Sequence, residues 1–427
     1  MINNIKIFVL ILGSCFYNHK IFSQIQTDTT SIIWKEGYLD IHHILTGRGN
    51  CAFVVMPDGT SMLLDIGDIG DRKVKNGSEM SFSYTPPYPD DTKTVGQRIF
   101  DYMKQVLPST KNIAIDYALL THYHDDHIGG ITDSTAKADS KAFLLTGITE
   151  VGELLPIKKI IDRSSPDNNY PVNLNLYYHK EPSIFLNYQR FIAYKQQHEK
   201  LIAEQLKVGS VSQIILKHQT TNFYPNFRVR GVKANGIIWN GIGDSTYTYF
   251  TANNVLDEKG KFSENPLSLA IKISYGKFDY FTGGDNTGLQ GFGMPYWFDV
   301  ETPMAKAVGK VEVTTLNHHG CRDAVNENFL KIMQPQVVVQ QSWSINHPGE
   351  EVLHRMIYAG IKNIFATNIQ EATKQTLGFW LRDNYKSTLG HIIIRVVPDG
   401  NYFYVLIAET VGDIVKITKV FGPYISE

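Results

Sequence analysis

The stretch from Ile113 to Gly130 constrains this chain more than any other. An apolar run, Ile113 to Leu120, has the length of one buried strand and leads directly into Thr121-His122-Tyr123-His124-Asp125-Asp126-His127-Ile128-Gly129-Gly130. Three histidines and two aspartates fall within six consecutive positions, which presents imidazole nitrogen and carboxylate oxygen to divalent cations. A solvated polar loop has no need of imidazole three times at this spacing. Period-two alternation carried past the strand end puts His122, His124 and Asp126 on one side and turns His127 away from them. One short loop is therefore expected to feed two neighbouring ions. Gly129 and Gly130 then permit a tight turn and close backbone approach.

Charge gives no support to a nucleic-acid partner: lysine plus arginine (41) nearly cancel aspartate plus glutamate (42), and no block of like charge stands out. With 427 residues and 43% apolar content, the composition is that of a globular protein of one large or two ordinary domains. The N-terminus reads as an export signal over residues 1–24, with Lys6, the apolar run Ile7 to Leu12, and a polar step at Ser23-Gln24. Two processing patterns coexist there. Leu12-Gly13-Ser14-Cys15 resembles a lipoprotein box and would leave a lipid anchor at Cys15, whereas Ile21-Phe22-Ser23 before Gln24 fits ordinary signal-peptidase cleavage. Export to the periplasm, the medium or the outer membrane follows as the expectation. The apolar run is too short to span a bilayer, which needs about 20 residues, and no later stretch approaches that length. Only Cys51 and Cys321 remain beyond the signal; each reads as a small buried residue, not half of a disulfide framework.

Along the chain, Tyr38 to Leu45, Cys51 to Met56 and Ser61 to Asp65 form an antiparallel opening, with Pro57-Asp58-Gly59-Thr60 as a hairpin turn. Asp65 ends its strand. Val95 to Val106 has helical apolar spacing. Val151 to Leu155 reads as a short helix, Ile157 to Ile161 as a strand, and Tyr188 to Leu206 as helical. Phe227 to Ala234, Ser268 to Tyr275, Asp279 to Thr282, Val311 to Leu316 and Val337 to Gln340 read as strands. Three of these lead into Gly283-Gly284-Asp285, Asn317-His318-His319-Gly320 and Asn346-His347-Pro348. That clustering of ligand types at strand ends outweighs any one of them. The domain expected is 35–395, with insertions near 68–94 and 164–228, and 396–427 as a β-rich extension of the same domain.

The sequence resembles the metallo-β-lactamase fold superfamily, whose H-x-H-x-D-H signature stands here as His122-Tyr123-His124-Asp125-Asp126-His127. Within it, the chain looks most like the soluble hydrolase-like domain of ComEC competence proteins and their free-standing relatives. Gly47-Arg48-Gly49-Asn50 beside Leu64-Asp65-Ile66-Gly67, Asn265 with Ser268, Gly284-Asp285, and His318-His319-Gly320 followed by His347-Pro348 carry that likeness in order. The resemblance implies an α/β (α+β) four-layer αββα sandwich with two mixed sheets. It implies that His122 and His124 hold one ion, Asp126 and His127 the other, that Asp285 bridges them, and that one of His318, His319 and His347 completes the second. Two departures stand out. Many relatives carry a further histidine between the first motif and the bridging aspartate; here that interval offers only His179, His198 and His218, each read as a mid-helix or surface residue. Cys321 replaces the serine usual after His-His-Gly.

Nitrogen and oxygen donors in this mix suit two divalent ions, zinc first, with manganese or iron compatible. The chemistry expected is hydrolysis by a metal-bound hydroxide. Asp126 would accept the proton of the water, and whichever of His318 and His319 is not a ligand would protonate the leaving group, with Asp126 and His319 taken as the catalytic pair. Asp65 is expected to orient a ligand histidine. The substrate expected is a small-molecule or oligomeric ester, a phosphodiester first. Two other classes remain open: an iron-dependent redox or sulfur-oxidising enzyme of the same fold, and a non-catalytic surface binding protein stabilised by metal.

Overall fold

A computed structural model describes residues 29–70, 83–108, 113–218, 224–289 and 293–427. The export segment and Cys15 lie outside these residues, as does part of the 68–94 insertion. Among the described residues the strands form two nine-stranded mixed sheets. The first contains β1 (Leu39–His43), β2 (Cys51–Val55), β3 (Ser61–Ile66), β4 (Ile115–Leu119), β5 (Ile157–Asp162), β6 (Ile202–Gln205), β16 (His391–Val396), β17 (Tyr402–Val411) and β18 (Ile414–Ile425). Its order is β18-β17-β16-β1-β2-β3-β4-β5-β6. The second contains β7 (Phe227–Ala234), β8 (Ile237–Trp239), β9 (Thr246–Thr248), β10 (Ala270–Tyr275), β11 (Phe278–Thr282), β12 (Val313–Thr315), β13 (Val337–Gln340), β14 (Ile364–Ala366) and β15 (Tyr385–Ser387). Its order is β15-β14-β13-β12-β11-β10-β7-β8-β9.

Strand alternation explains the layering. Tyr117 and Leu119 of β4 and Val337 and Val339 of β13 enter one core shared by the two sheets. The residues between them turn outward: Ala118 packs under helices Val95–Val106 and Ile184–Glu199, and Val338 under helices Glu301–Val308, Glu327–Met333 and Glu350–Tyr358. A strand buried on both faces needs apolar residues at every position, and the runs Val337-Val338-Val339 and Ile160-Ile161 supply them. The result is an αββα sandwich.

Helix Val95–Val106 shows how local sequence sets an element. Thr94 caps it, its side chain accepting from Gln97 N while Gln97 Oε1 accepts from Thr94 N, and Val95, Ile99, Tyr102, Met103 and Val106 form its buried face. It stops at Leu107, which precedes a proline. The stretch Tyr188 to Leu206 departs from the helical reading. Its helix runs Ile184–Glu199 and ends at Lys200 in a left-handed conformation, and Ile202–Gln205 then pairs in parallel with β5 as an edge strand. A short, half-exposed edge strand leaves a weak apolar pattern, so helical spacing in the sequence runs on through it. At the C-terminus, β16 pairs with β1, and the buried Arg395–Asp40 pair (2.7 Å) ties the last strands to the first. Among the described residues no helix is long and apolar enough to cross a membrane.

The position of the site follows from strand direction. Strands β3 to β6 run parallel, as do β11 to β15. The segments after β4, β11, β12 and β13 therefore leave the sandwich along one edge, where ligand sites of parallel sheets form.

Two buried histidines away from that edge couple the fold to pH. His391 accepts the Leu45 N–H at Nδ1 (3.0 Å) and pairs with Thr410 Oγ1 through Nε2 (2.9 Å), and His43 lies fully buried in β1. Burial, with the nearby charge of His42 adding to it, pushes both down to about 3. Both stay neutral in the folded chain while an unfolded histidine takes up a proton near 6.5. Their contribution is complete above pH 6.5 and is lost as pH falls toward 3, by at most about 1.4 kcal/mol per pH unit for each histidine. Urea unfolding between pH 7 and pH 4 should show falling stability, with a shallower slope in His391→Gln.

Candidate metal centre

The first motif lies in a loop beyond β4 and in one helical turn, Asp125–Ile128. That turn corrects the alternation expectation. Because the strand stops at Leu119, period two no longer applies, and the helical turn rotates His127 back toward its neighbours. His127 Nε2 lies 3.1 Å from Asp285 Oδ1 and 3.2 Å from His319 Nε2, and its ring centroid is 4.1 Å from that of His122. The loop is closed by Gly129, at φ 104°, where a Cβ would come within 2.6 Å of the Thr146 carbonyl carbon.

Asp285 reaches the same point from the second sheet. Gly284 before it has φ 55° and packs against Thr121, leaving no room for a side chain. Two donor groups result. One joins Asp126, His127, Asp285 and His319; the other joins His122, His124 and Asp285, with the donor atoms in each within 4.8 Å of one another. Asp285 belongs to both. His122 Nε2 stands 3.0 Å from His124 Nδ1 and 3.7 Å from Asp285 Oδ2, while His319 Nε2 stands 3.1 Å from Asp285 Oδ1 and 3.4 Å from Asp126 Oδ2.

These donors fit divalent ions. Ring nitrogens face ring nitrogens in the His122–His124 (3.0 Å) and His127–His319 (3.2 Å) pairs, an arrangement that suits cations between them. Asp285 Oδ1 is buried without a hydrogen-bond donor that the geometry satisfies. Burial opposes ionisation of Asp285, yet the imidazoles of His127, His319, His318 and His122 hold its carboxyl well below the usual range. Burial, then the charge of His127, pushes His122 well below its ordinary value, toward the neutral form a ligand needs. His127 goes the other way: burial is outweighed by Asp285, Asp65 and Asp126. An ion would displace the proton that His127 holds.

The supporting residues are specific. Asp65, at φ 52°, accepts from His127 Nδ1 (2.8 Å), from Thr121 N (2.7 Å) and Thr121 Oγ1 (2.9 Å), and from Asn50 Nδ2 (3.1 Å). That fixes the tautomer of His127 with Nε2 directed inward. Gln340 Nε2 donates to the His319 carbonyl (2.8 Å), and the His319 ring packs on Trp343 at 4.1 Å. Buried Glu301 accepts from Asn317 Nδ2, Val325 N and Asn326 N, each at 2.7 Å, and so anchors the His318-His319 turn. Burial pushes Glu301 up to about 7 against those bonds.

The remaining candidates lie around these groups. His318 is held by Asn265 and Asp323, with Nε2 3.8 Å from Asp285 Oδ2. His347 is buried with its ring 4.8 Å from that of His319 and stands outside both donor groups. His179 and His198 bond to backbone carbonyls of Leu176 and Tyr194, and His218 to Asp116; none joins the centre. Cys51 and Cys321 are buried free thiols. The sequence reading did not single out Thr121, Glu301, Gln340 or Trp343. Thr121 heads the motif and was the most accessible to it, whereas the others act through contacts that no spacing encodes.

No protein-family model and no curated protein matches the sequence. Among solved structures, the chain is similar to CmlA, a diiron β-hydroxylase from Streptomyces venezuelae, at 11% identity and TM-score 0.36, over 85% of this chain. It spans only 55% of CmlA's length. It is similar to Zn(2+)-bound PqqB from Methylobacterium extorquens at 8% identity and TM-score 0.41, over 83% of this chain and 99% of that one. A third likeness is to Tm1679, a metal-dependent hydrolase of the β-lactamase superfamily, at 9% identity and TM-score 0.35, over 83% and 98%.

Replacing Asp65 with asparagine, which tolerates the left-handed backbone, removes the carboxylate that orients His127. Affinity for a divalent ion in a chelator-competition titration should fall by roughly 10–100-fold with the fold intact by circular dichroism. The layer order and the donor residues at the strand ends, observed directly in this chain, identify its fold as an αββα sandwich of two nine-stranded mixed sheets with candidate metal donors gathered at one edge.

Proposed function

We propose that this chain is an exported hydrolase dependent on two divalent ions, zinc in the first instance, acting on a phosphodiester or related ester. One observation carries the reading: two donor groups share a single buried carboxylate, Asp285, at the edge where parallel strands of both sheets end. In this reading His122, His124 and Asp285 hold one ion, and Asp126, His127, Asp285 and His319 the other. Such a pair acidifies a water to near neutrality and polarises a phosphoryl or carbonyl oxygen.

The chain's own residues supply the rest. Asp126 keeps 17% side-chain exposure, while His122 and His127 are fully buried. Burial opposes ionisation of Asp126, yet His127 and His319 hold it ionised, so in this reading it is the base at the mouth of the centre and Oδ2 its outer oxygen. That oxygen lies 3.4 Å from His319 Nε2. Asp65 and Thr121 hold the imidazole of His127, and Trp343 and His347 cover the ring of His319 and keep water from that side. The phosphodiester assignment rests on the ComEC-like order of motifs, by analogy of pattern.

The full chain loaded with zinc should cleave bis(p-nitrophenyl) phosphate, and His124→Ala and Asp126→Ala should each lower kcat/KM by about 100-fold or more. Elemental analysis finding no bound metal after loading would sink the proposal. Oxygen consumption by an iron-loaded protein inert toward esters would replace hydrolysis with redox chemistry.

A further inference from the structure

Residues 264–268 are held by two buried side chains, the guanidinium of Arg163 and the amine of Lys233. The Arg163 guanidinium grips Glu264 through Nε to Oε2 (2.9 Å) and Nη2 to Oε1 (2.6 Å), and Tyr178 donates to Oε1 at 2.7 Å. Lys233, fully buried, donates from Nζ to the carbonyls of Pro266 (2.7 Å) and Ser268 (3.0 Å). So braced, the segment makes two contacts with the metal centre. Ser268 Oγ accepts from the backbone N–H of Asp285 (3.2 Å), and Asn265 Nδ2 meets His318 Nε2 at 3.0 Å. The other ring nitrogen, His318 Nδ1, lies 2.6 Å from Asp323 Oδ1.

His318 stands within reach of the three-donor group. Its Nε2 is 3.8 Å from Asp285 Oδ2, the oxygen that also faces His122 Nε2 at 3.7 Å. An imidazole so placed is the natural fourth donor for an ion held by His122, His124 and Asp285, yet its Nε2 is engaged by an amide. Either orientation of the Asn265 amide engages Nε2, because one end donates to it and the other accepts from it. The backbone gives little freedom to turn away: His318 sits at φ 46°, ψ 42°, with its N–H bonded to the Gly284 carbonyl (3.0 Å). Such left-handed backbone at a non-glycine residue persists only where its surroundings enforce it.

We infer that Asn265 is a positioning residue that withholds His318 from the ions, so that the three-donor side keeps a position open for substrate or water. The inference rests on the two-ion reading above and adds to it the cause of the unequal donor sets. Asp323, Arg163 and Lys233 serve the same end, the first by fixing the far side of the ring and the others by fixing the segment that carries the amide.

The test is zinc affinity of the full chain, measured by competition with a chromophoric chelator in the unmodified protein, His318→Ala, Asn265→Leu and the double variant. His318→Ala should leave both zinc affinities within about twofold, and Asn265→Leu should tighten the weaker zinc by roughly tenfold, a gain the double variant loses. Loosening of the weaker zinc by His318→Ala alone would show that His318 is already a ligand and would overturn the inference while leaving the two-ion reading intact. A folded Asn265→Leu without tightening would overturn it equally. If Asn265→Leu does not fold, the His318→Ala comparison decides alone. Failure of the unmodified chain to bind zinc overturns the two-ion reading and the inference together.

Discussion

A carboxylate buried between two sheets is the constraint on which the rest of this structure depends. Asp285 has 2% of its surface exposed, and it comes from the second sheet while His122, His124 and His127 come from the first. An isolated buried carboxylate is costly by several kcal/mol even after relaxation, and nothing apolar in the core between the sheets offsets that. The compensation lies in the imidazoles from both layers that surround it. The two halves of the sandwich therefore meet through polar chemistry at one edge and through apolar packing everywhere behind it. Loss of register in either sheet would move donors apart by whole residue spacings of about 3.3 Å, far more than a coordination sphere tolerates.

Backbone strain is concentrated at the same edge. Asp65, His318 and His319 all occupy left-handed conformations without being glycine, and each is held by bonds from elsewhere in the fold. Asp65 is held by Thr121 and Asn50, the His318-His319 turn by Glu301 acting through Asn317, and the His319 carbonyl by Gln340. Strain of about 1–3 kcal/mol per residue is sustained only when the surroundings over-determine it. Here the surroundings are polar groups that are themselves buried, so orientation of the donors is set before any ion arrives. The described part of the 68–94 insertion joins this support: Thr85 N donates to the Trp343 carbonyl, and Ser83 accepts from Ile345 N, beside the loop that carries His347.

Much of the fold was legible because regular elements repeat their signal. Helix Val95–Val106, strand Phe227–Ala234 and strand Val337–Gln340 were read with the bounds they have. The helix has a cap with an apolar stripe, Phe227–Ala234 alternates apolar and polar residues, and Val337–Gln340 opens on an unbroken apolar run. Ile202–Gln205 was not legible, since an edge strand of four half-exposed residues has no distinctive period. At the centre, the residue types were legible but their directions were not. His127 was expected to point away, and one turn of helix reversed that. Asp65 was expected, from its place at a strand end, to pair with a histidine of the motif, and it bonds His127, whereas Glu301, Gln340 and Trp343 act across contacts far apart in the chain.

The sequence by itself determined the chemistry on offer: three imidazoles and two carboxylates in His122 to His127, a later aspartate after two glycines, and a histidine pair, each following an apolar run. These are local facts, because side-chain type and strand propensity are written within a few residues. Only the tertiary structure decided which donors meet. Asp285 is shared, His319 enters a donor group, and His318, one residue away in sequence, is turned toward Asn265 and Asp323 instead. Adjacent residues leave a backbone in different directions, and which of those directions faces the ions depends on φ and ψ values that distant buried groups impose.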